Sequence, residues 1–179
     1  MPRIPFVAET LTEPREVVEA IKKRRGGKFL ALDRMLLNSP PVAMGWNSLM
    51  GAVRTQMSLP GKWRELAMCV VAVLNGAEYE FVAHAPIFVK EGGREEQIAA
   101  MRDVFAATSD HRHFDEAERA VIQMTIEMTR SVHVSDATFA AARRHLPNDQ
   151  QMFELITVIA AYNMVSRVLV ATGIRPEDH

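Results

Sequence analysis

The chain has 179 residues, 21 Lys plus Arg against 22 Asp plus Glu for a formal net charge of −1 at pH 7, and one cysteine. That length suits a single domain with a real core, and the near-zero charge gives no electrostatic pull toward a nucleic acid or an anionic membrane. A single thiol excludes an intramolecular disulfide and fits a reducing compartment, so a cytoplasmic location is expected. The longest strictly apolar run, "LAMCVVAVL" from Leu66 to Leu74, falls well short of the roughly 20 residues of a membrane span. The opening "MPRIPFVAET" lacks the apolar stretch of a signal peptide.

Helical periods recur along the chain, and alternating β-branched runs bounded by hairpin turns are missing. A first helix is predicted after Thr12, with Pro14 in its first turn and Val17, Val18 and Ile21 on one face. Its end is the basic run Lys22 to Arg25 followed by Gly26 and Gly27, which suits a helix C-terminus better than a binding patch. A second helix is predicted over Phe29 to Leu37, and a third from Pro40 capped by Ser39. "LPGKWRELAMCVVAVLNG" gives a fourth ending at Asn75-Gly76, and a fifth runs from about Ala77 to Lys90. Arg94 to Phe105 is predicted as a sixth. Asp115 then caps a long helix over Glu116 to Arg130, a shorter one follows Ser135 or Asp136, and a mostly apolar helix runs from Asp149 to about Ala171, closed by Gly173. The connections are short, so neighbouring helices are expected to run antiparallel. The expected fold is all-α: one helical bundle domain over residues 1–179.

The fourth helix is apolar nearly all round, so it is expected at the centre, with a second subunit as one source of cover. Eleven methionines suit an adaptable core or interface. A homo-oligomer is therefore expected.

"LNGAEYEFVAHAP" places Glu80 four residues before His84, on one helix face. With Asn75-Gly76 as a tight hinge, Glu65 lies roughly 16 Å and His84 roughly 13 Å from the turn along their helices. Glu65, Glu80 and His84 can then converge, beside Trp63 and Arg64. Two carboxylates and an imidazole in an apolar wall can exchange protons near neutral pH; an exposed i,i+4 pair is the plainer alternative. The same three groups would suffice for an open metal site, but neither Glu-x-x-His nor His-Glu-x-x-His occurs, so no metal is assigned. His111 and His113 in "DHRH", His133 and His145 fit a solvated loop or helix ends. Tyr162, Asn163 and Arg167 are polar groups on the last apolar helix, suited to a pocket, to buried partners or to subunit contacts.

The segment "RELAMCVVAVLNGAEYEFVAHAPIFVKEGGREEQIAAM" resembles the core of the carboxymuconolactone decarboxylase and alkylhydroperoxidase D-like superfamily: Arg-Glu opens an apolar helix, a His sits on the next, and a glycine precedes "xEQI". The match covers about Gly61 to Met101, and "SPPVAMGWNSLM" and "YNMVSRVLVATGI" look like extended members. The resemblance implies an alkylhydroperoxidase D-like bundle, with a core at about residues 40–125 and helical extensions at both ends, assembled as a trimer or hexamer. The peroxidase branch carries Cys-x-x-Cys-x-x-x-His, whose cysteines fall on Ala77 and Glu80, so the dithiol is missing here. The decarboxylase branch implies cofactor-free chemistry on a small organic acid or lactone. On that reading His84 gives the proton, Glu80 orients it and Glu65 is the second carboxyl. Arg64 is a candidate anchor for a substrate carboxylate or else a helix-surface charge, and Trp63 and Tyr162 are candidate pocket residues. The alternative is a non-catalytic oligomeric scaffold or small-molecule binding module.

Overall fold

Every element of regular structure among the described residues is helical, because the hydrophobic repeats come at three and four residues and never at two. The computed structural model describes residues 2–178, and its helices divide between two compact units.

The first unit holds the described residues up to Met57 and from Ala171 onward. It contains α1 (Arg15–Arg25), α2 (Ala31–Leu36) and α3 (Pro40–Thr55). α1 ends as expected: Gly26 adopts φ +71 and its N–H bonds the Lys22 carbonyl, four basic side chains filling the last turn. Asp33, 1 % exposed, accepts from the Leu30 N–H and pairs with Arg24 and Arg25, tying the basic run to α2. α2 is shorter than predicted because that bond makes Leu30 its cap. Ser39 starts α3 without capping it through its side chain. Pro41, at the second helical position, has no N–H for such a cap to satisfy.

The second unit, Ser58–Val170, carries the site. Its helices are α4 (Gly61–Asn75), α5 (Glu78–Lys90), α6 (Glu95–Ala100), α7 (Val104–Ala107), α8 (Glu116–Arg130), α9 (Asp136–Arg143) and most of α10 (Asp149–Thr172). α4 is buried from Glu65 to Ala72 and packs on α5, α7 and α8 of its own chain, so its apolar surface needs no second subunit for cover. Leu66, Met68, Val70 and Val71 are fully buried, each stabilising by about 1.5–3 kcal/mol.

The predicted sixth helix is two helices. α6 stops at Ala100, and Asp103 starts α7 by accepting from the Ala106 N–H. A mid-segment aspartate competes for backbone donors in this way. Asp115 and Glu118 form a reciprocal capping box at the start of α8, each accepting the other's N–H at 2.8 Å. By length and composition α10 could cross a membrane, but half of its most apolar window is buried in the protein, as in a core helix.

Candidate active site

Gly76 adopts φ +65, and its N–H and that of Ala77 bond back to carbonyls at the end of α4. A side chain is strained in that conformation, so glycine allows the chain to reverse at once into α5. The reversal sets α5 along α4 and brings Glu65 level with His84.

Three carboxylates hold the start of α4 in register. Glu154 on α10 accepts from the Leu59 N–H at 2.7 Å and the Ser58 hydroxyl at 2.9 Å. Glu118 on α8, fully buried, pairs with Lys62 at 2.7 Å and accepts from Gln97 at 2.9 Å. The Glu91 carboxylate at the end of α5 fills the space a Cβ would need at Gly61.

His84 is 1 % exposed. Its Nδ1 lies 2.6 Å from Glu65 Oε2. Its Nε2 lies 3.1 Å from Glu80 Oε2 and 3.0 Å from the Tyr162 hydroxyl. The Tyr162 ring meets the imidazole edge-on, with centroids 5.0 Å apart. Glu65, Glu80 and Tyr162 are themselves buried. Arg64 completes the group: its Nε donates to Glu65 Oε1 at 3.3 Å.

Burial pulls the imidazole pKa down, but the bonds to Glu65 and Glu80 outweigh it and hold His84 above its ordinary value. Burial pushes the Glu65 carboxyl up, but His84 and Arg64 outweigh that and hold it below its ordinary value. Both directions favour an imidazolium that donates from Nδ1 to Glu65 and from Nε2 to Glu80. A buried cation stored between two carboxylates keeps a proton available in an apolar wall.

Cys69 lies one turn beyond Glu65 on α4 and is fully buried. Burial and the charges of Glu65 and Glu80 push its thiol far up, so it is held as the inert thiol.

The structure therefore brings Glu65, Glu80 and His84 together and adds Tyr162 and Arg64. Trp63 stands two residues before Glu65 on α4 and half-buried, a spacing that turns it away from the Glu65 face. Asn163, next to Tyr162, bonds Asn75 at 3.1 Å and Thr129 at 2.9 Å, and so ties the α4 hinge to α10 and α8. Among the described residues no group of three or more His, Cys, Asp or Glu side chains is arranged to share a metal ion. His113 pairs with Asp110 in its loop at 2.5 Å, and His145 lies 3.8 Å from Glu116.

No curated protein sequence matches the chain. Solved structures do. An alkylhydroperoxidase AhpD core, a peroxidase-related protein from Ralstonia eutropha JMP134, is 19% identical, with TM-score 0.81 over 98% of this chain and 92% of the other. A peroxidase-related protein from Silicibacter sp. TM1040 is 19% identical, with TM-score 0.77 over 97% and 90%. The debrominase Bmp8, as a cysteine-to-alanine variant in complex with 2,3,4-tribromopyrrole, is 15% identical, with TM-score 0.74 over 98% and 93%. These likenesses establish the fold. Residues 40–110 match the Carboxymuconolactone decarboxylase family, a stretch that takes in α4, the hinge, and the helix carrying Glu80 and His84. The chain is thus similar to that family over residues 40–110 and has the all-α alkylhydroperoxidase D-like fold.

Proposed function

We propose that the protein is an enzyme that decarboxylates a small organic acid or lactone by proton transfer at His84, with no cofactor needed for that step. The observation that carries this reading is the buried imidazole with Glu65 on Nδ1 and Glu80 and Tyr162 on Nε2. Glu65 fixes the ring through Nδ1 and leaves Nε2 as the working nitrogen. In the reaction the bond from carbon to the carboxylate breaks and CO2 leaves. Its electron pair passes into a conjugated oxygen-bearing system, and the carbon takes the Nε2 proton. Water returns a proton to His84, so the net change is R–CO2⁻ + H⁺ → R–H + CO2. Tyr162 is placed to hydrogen-bond the oxygen on which charge collects, and Glu80 holds the Nε2 proton until it is transferred. Arg64, beside Glu65, is the anchor for a second substrate carboxylate.

A dithiol peroxidase cycle needs two thiols, and this chain has only Cys69. The debrominase neighbour is in complex with 2,3,4-tribromopyrrole, which agrees with a small organic molecule as substrate for this fold. One observation favours a second reading, a binding module that has kept the scaffold: His84 and Tyr162 are each 1 % exposed, as a purely structural cluster would be.

The test is CO2 release from a panel of small lactones and β-keto-type acids. His84→Gln should lower turnover about 100-fold or more, the usual scale of general acid catalysis. Full turnover in that variant overturns the assignment, and ligand binding with no turnover by the unmodified protein favours the binding module.

A further inference from the structure

The contacts that let His84 give a proton also fix what the ring can do once that proton has gone. Glu65 Oε2 lies 2.6 Å from Nδ1, so the hydrogen on that nitrogen is held and the proton that leaves is the one on Nε2. The neutral ring is therefore the Nδ1–H tautomer, with its lone pair on Nε2. That lone pair stands between Glu80 Oε2 at 3.1 Å and the Tyr162 hydroxyl at 3.0 Å. A carboxylate beside Nε2 strengthens the nitrogen as a base, because it favours the imidazolium that results. The Tyr162 O–H, on the same side of the ring, is placed to donate to an oxygen on which charge gathers. A base and an oxyanion donor side by side are what removal of a proton from carbon requires.

We propose that the protein has a second activity: with His84 neutral, it abstracts a proton from the carbon beside the carbonyl of a small lactone or ketone that has no carboxylate to lose, and so exchanges that hydrogen with solvent. The C–H electron pair passes into the carbonyl to give an enolate, whose oxygen Tyr162 holds, and the proton joins Nε2. The imidazolium trades it for a solvent proton and returns that one to the carbon. In heavy water the net change is R–H + D2O → R–D + HOD, with no other reactant. This activity rests on the reading of His84 as a proton donor to carbon, since a step that protonates an enolate carbon must also run backwards. The two activities need opposite states of one residue: CO2 loss uses the imidazolium, and exchange uses the neutral ring. The groups around the ring are Glu65, with Arg64 behind it, on α4, Glu80 on α5 and Tyr162 on α10, with Cys69 near both carboxylates. With Glu65 held as the carboxylate and Cys69 as the thiol, His84 changes charge as pH rises through its raised value. Exchange should therefore rise with pH over the range in which decarboxylation falls.

Proton NMR in D2O with α-angelica lactone, a small unsaturated lactone without a carboxylate, tests it. The enolate of this lactone is an aromatic oxyfuran, so its CH2 beside the carbonyl is acidic enough for an imidazole base. That CH2 signal should fade faster than in buffer alone, and faster still as pH rises above 6.5. His84→Gln should slow the exchange about 100-fold or more, the usual scale of general base catalysis. Tyr162→Phe, which removes only the hydroxyl, should also slow it about 100-fold, the scale of one oxyanion donor. Far-UV circular dichroism checks that each variant folds; if His84→Gln does not, Tyr162→Phe and the pH profile decide. Exchange no faster than in buffer overturns the proposal, as does exchange that both variants retain or that falls as pH rises. CO2 release from the acid panel without exchange of the lactone overturns this activity alone and leaves the decarboxylation standing. Exchange without CO2 release from that panel supports it and overturns the decarboxylation instead.

Discussion

Replacing Glu65 or Glu80 by Gln removes one negative charge from the same imidazole, yet the two variants should differ sharply. Glu65 accepts from His84 Nδ1 at 2.6 Å and also holds Arg64, so Glu65→Gln leaves two cations short of a carboxylate. Breaking a buried ion pair costs 3–5 kcal/mol, and with Glu80 still facing His84 the lower end, about 3 kcal/mol, applies. Glu80 sits at 3.1 Å from Nε2, where the Tyr162 oxygen at 3.0 Å can accept in its place. Glu80→Gln should therefore cost about 1 kcal/mol, the net worth of one replaceable hydrogen bond. For a chain of this size, about 2–4 °C per kcal/mol puts the falls in Tm at about 6–12 °C and about 2–4 °C. Urea denaturation at pH 7, alongside thermal melts, measures both. Equal losses, or a larger loss for Glu80→Gln, would refute the assignment of Nδ1–Glu65 as the anchoring contact.

Three further outcomes follow from particular residues. Gly93→Ala should destabilise by about 1–3 kcal/mol by overpacking, because a Cβ there would stand 2.2 Å from the fully buried Phe88 ring; chemical denaturation checks it. Val132→Asn should stabilise by about 1 kcal/mol, since Val132 is held at φ +63 while 85 % exposed, and asparagine tolerates that conformation; an unchanged or lowered midpoint would contradict it. The third outcome concerns pH. The His84 pKa is raised above 6.5 in the folded state, so its contribution is complete below 6.5 and lost as pH rises through the raised value. The Glu65 pKa is lowered below 4.5, so its contribution is complete above 4.5 and lost as pH falls through the lowered value. The stability gap between the unmodified protein and His84→Gln should thus be widest between pH 4.5 and 6.5 and narrow in alkali, as urea midpoints across pH will show.

The parts of the fold fixed by local chemistry were legible in the sequence. Gly26 and Gly76 end their helices as the glycine signal requires, and Asp115 caps α8. The hinge at Asn75-Gly76, with helical rise alone, sufficed to bring Glu65 and His84 to one height. Local competition hid the rest: Asp103 looks like one more polar residue in a helical period, but its carboxylate starts a new helix. Tyr162 is 78 residues from His84 in sequence, and no spacing rule gives the register of α10 on the α4–α5 pair. That register follows from long-range bonds such as Glu154 to Leu59, which a single sequence does not announce. Arg64 was legible as a charge beside Glu65 and a candidate carboxylate anchor, but its bond to Glu65 is a matter of rotamer. Helix four suggested a partner subunit, yet α5, α7 and α8 cover it within one chain.

The central claim is that His84 is a buried imidazolium stored between two carboxylates and ready to give its Nε2 proton. Nitrogen-15 NMR of histidine-labelled protein tests this most directly, with His84→Gln identifying the resonance. The geometry predicts that at pH 6.5 His84 is predominantly protonated on both ring nitrogens, Nδ1–H strongly deshielded by Glu65, and that it loses a proton only as pH rises above 6.5. A neutral single tautomer at pH 6.5, titrating below that value, would contradict it.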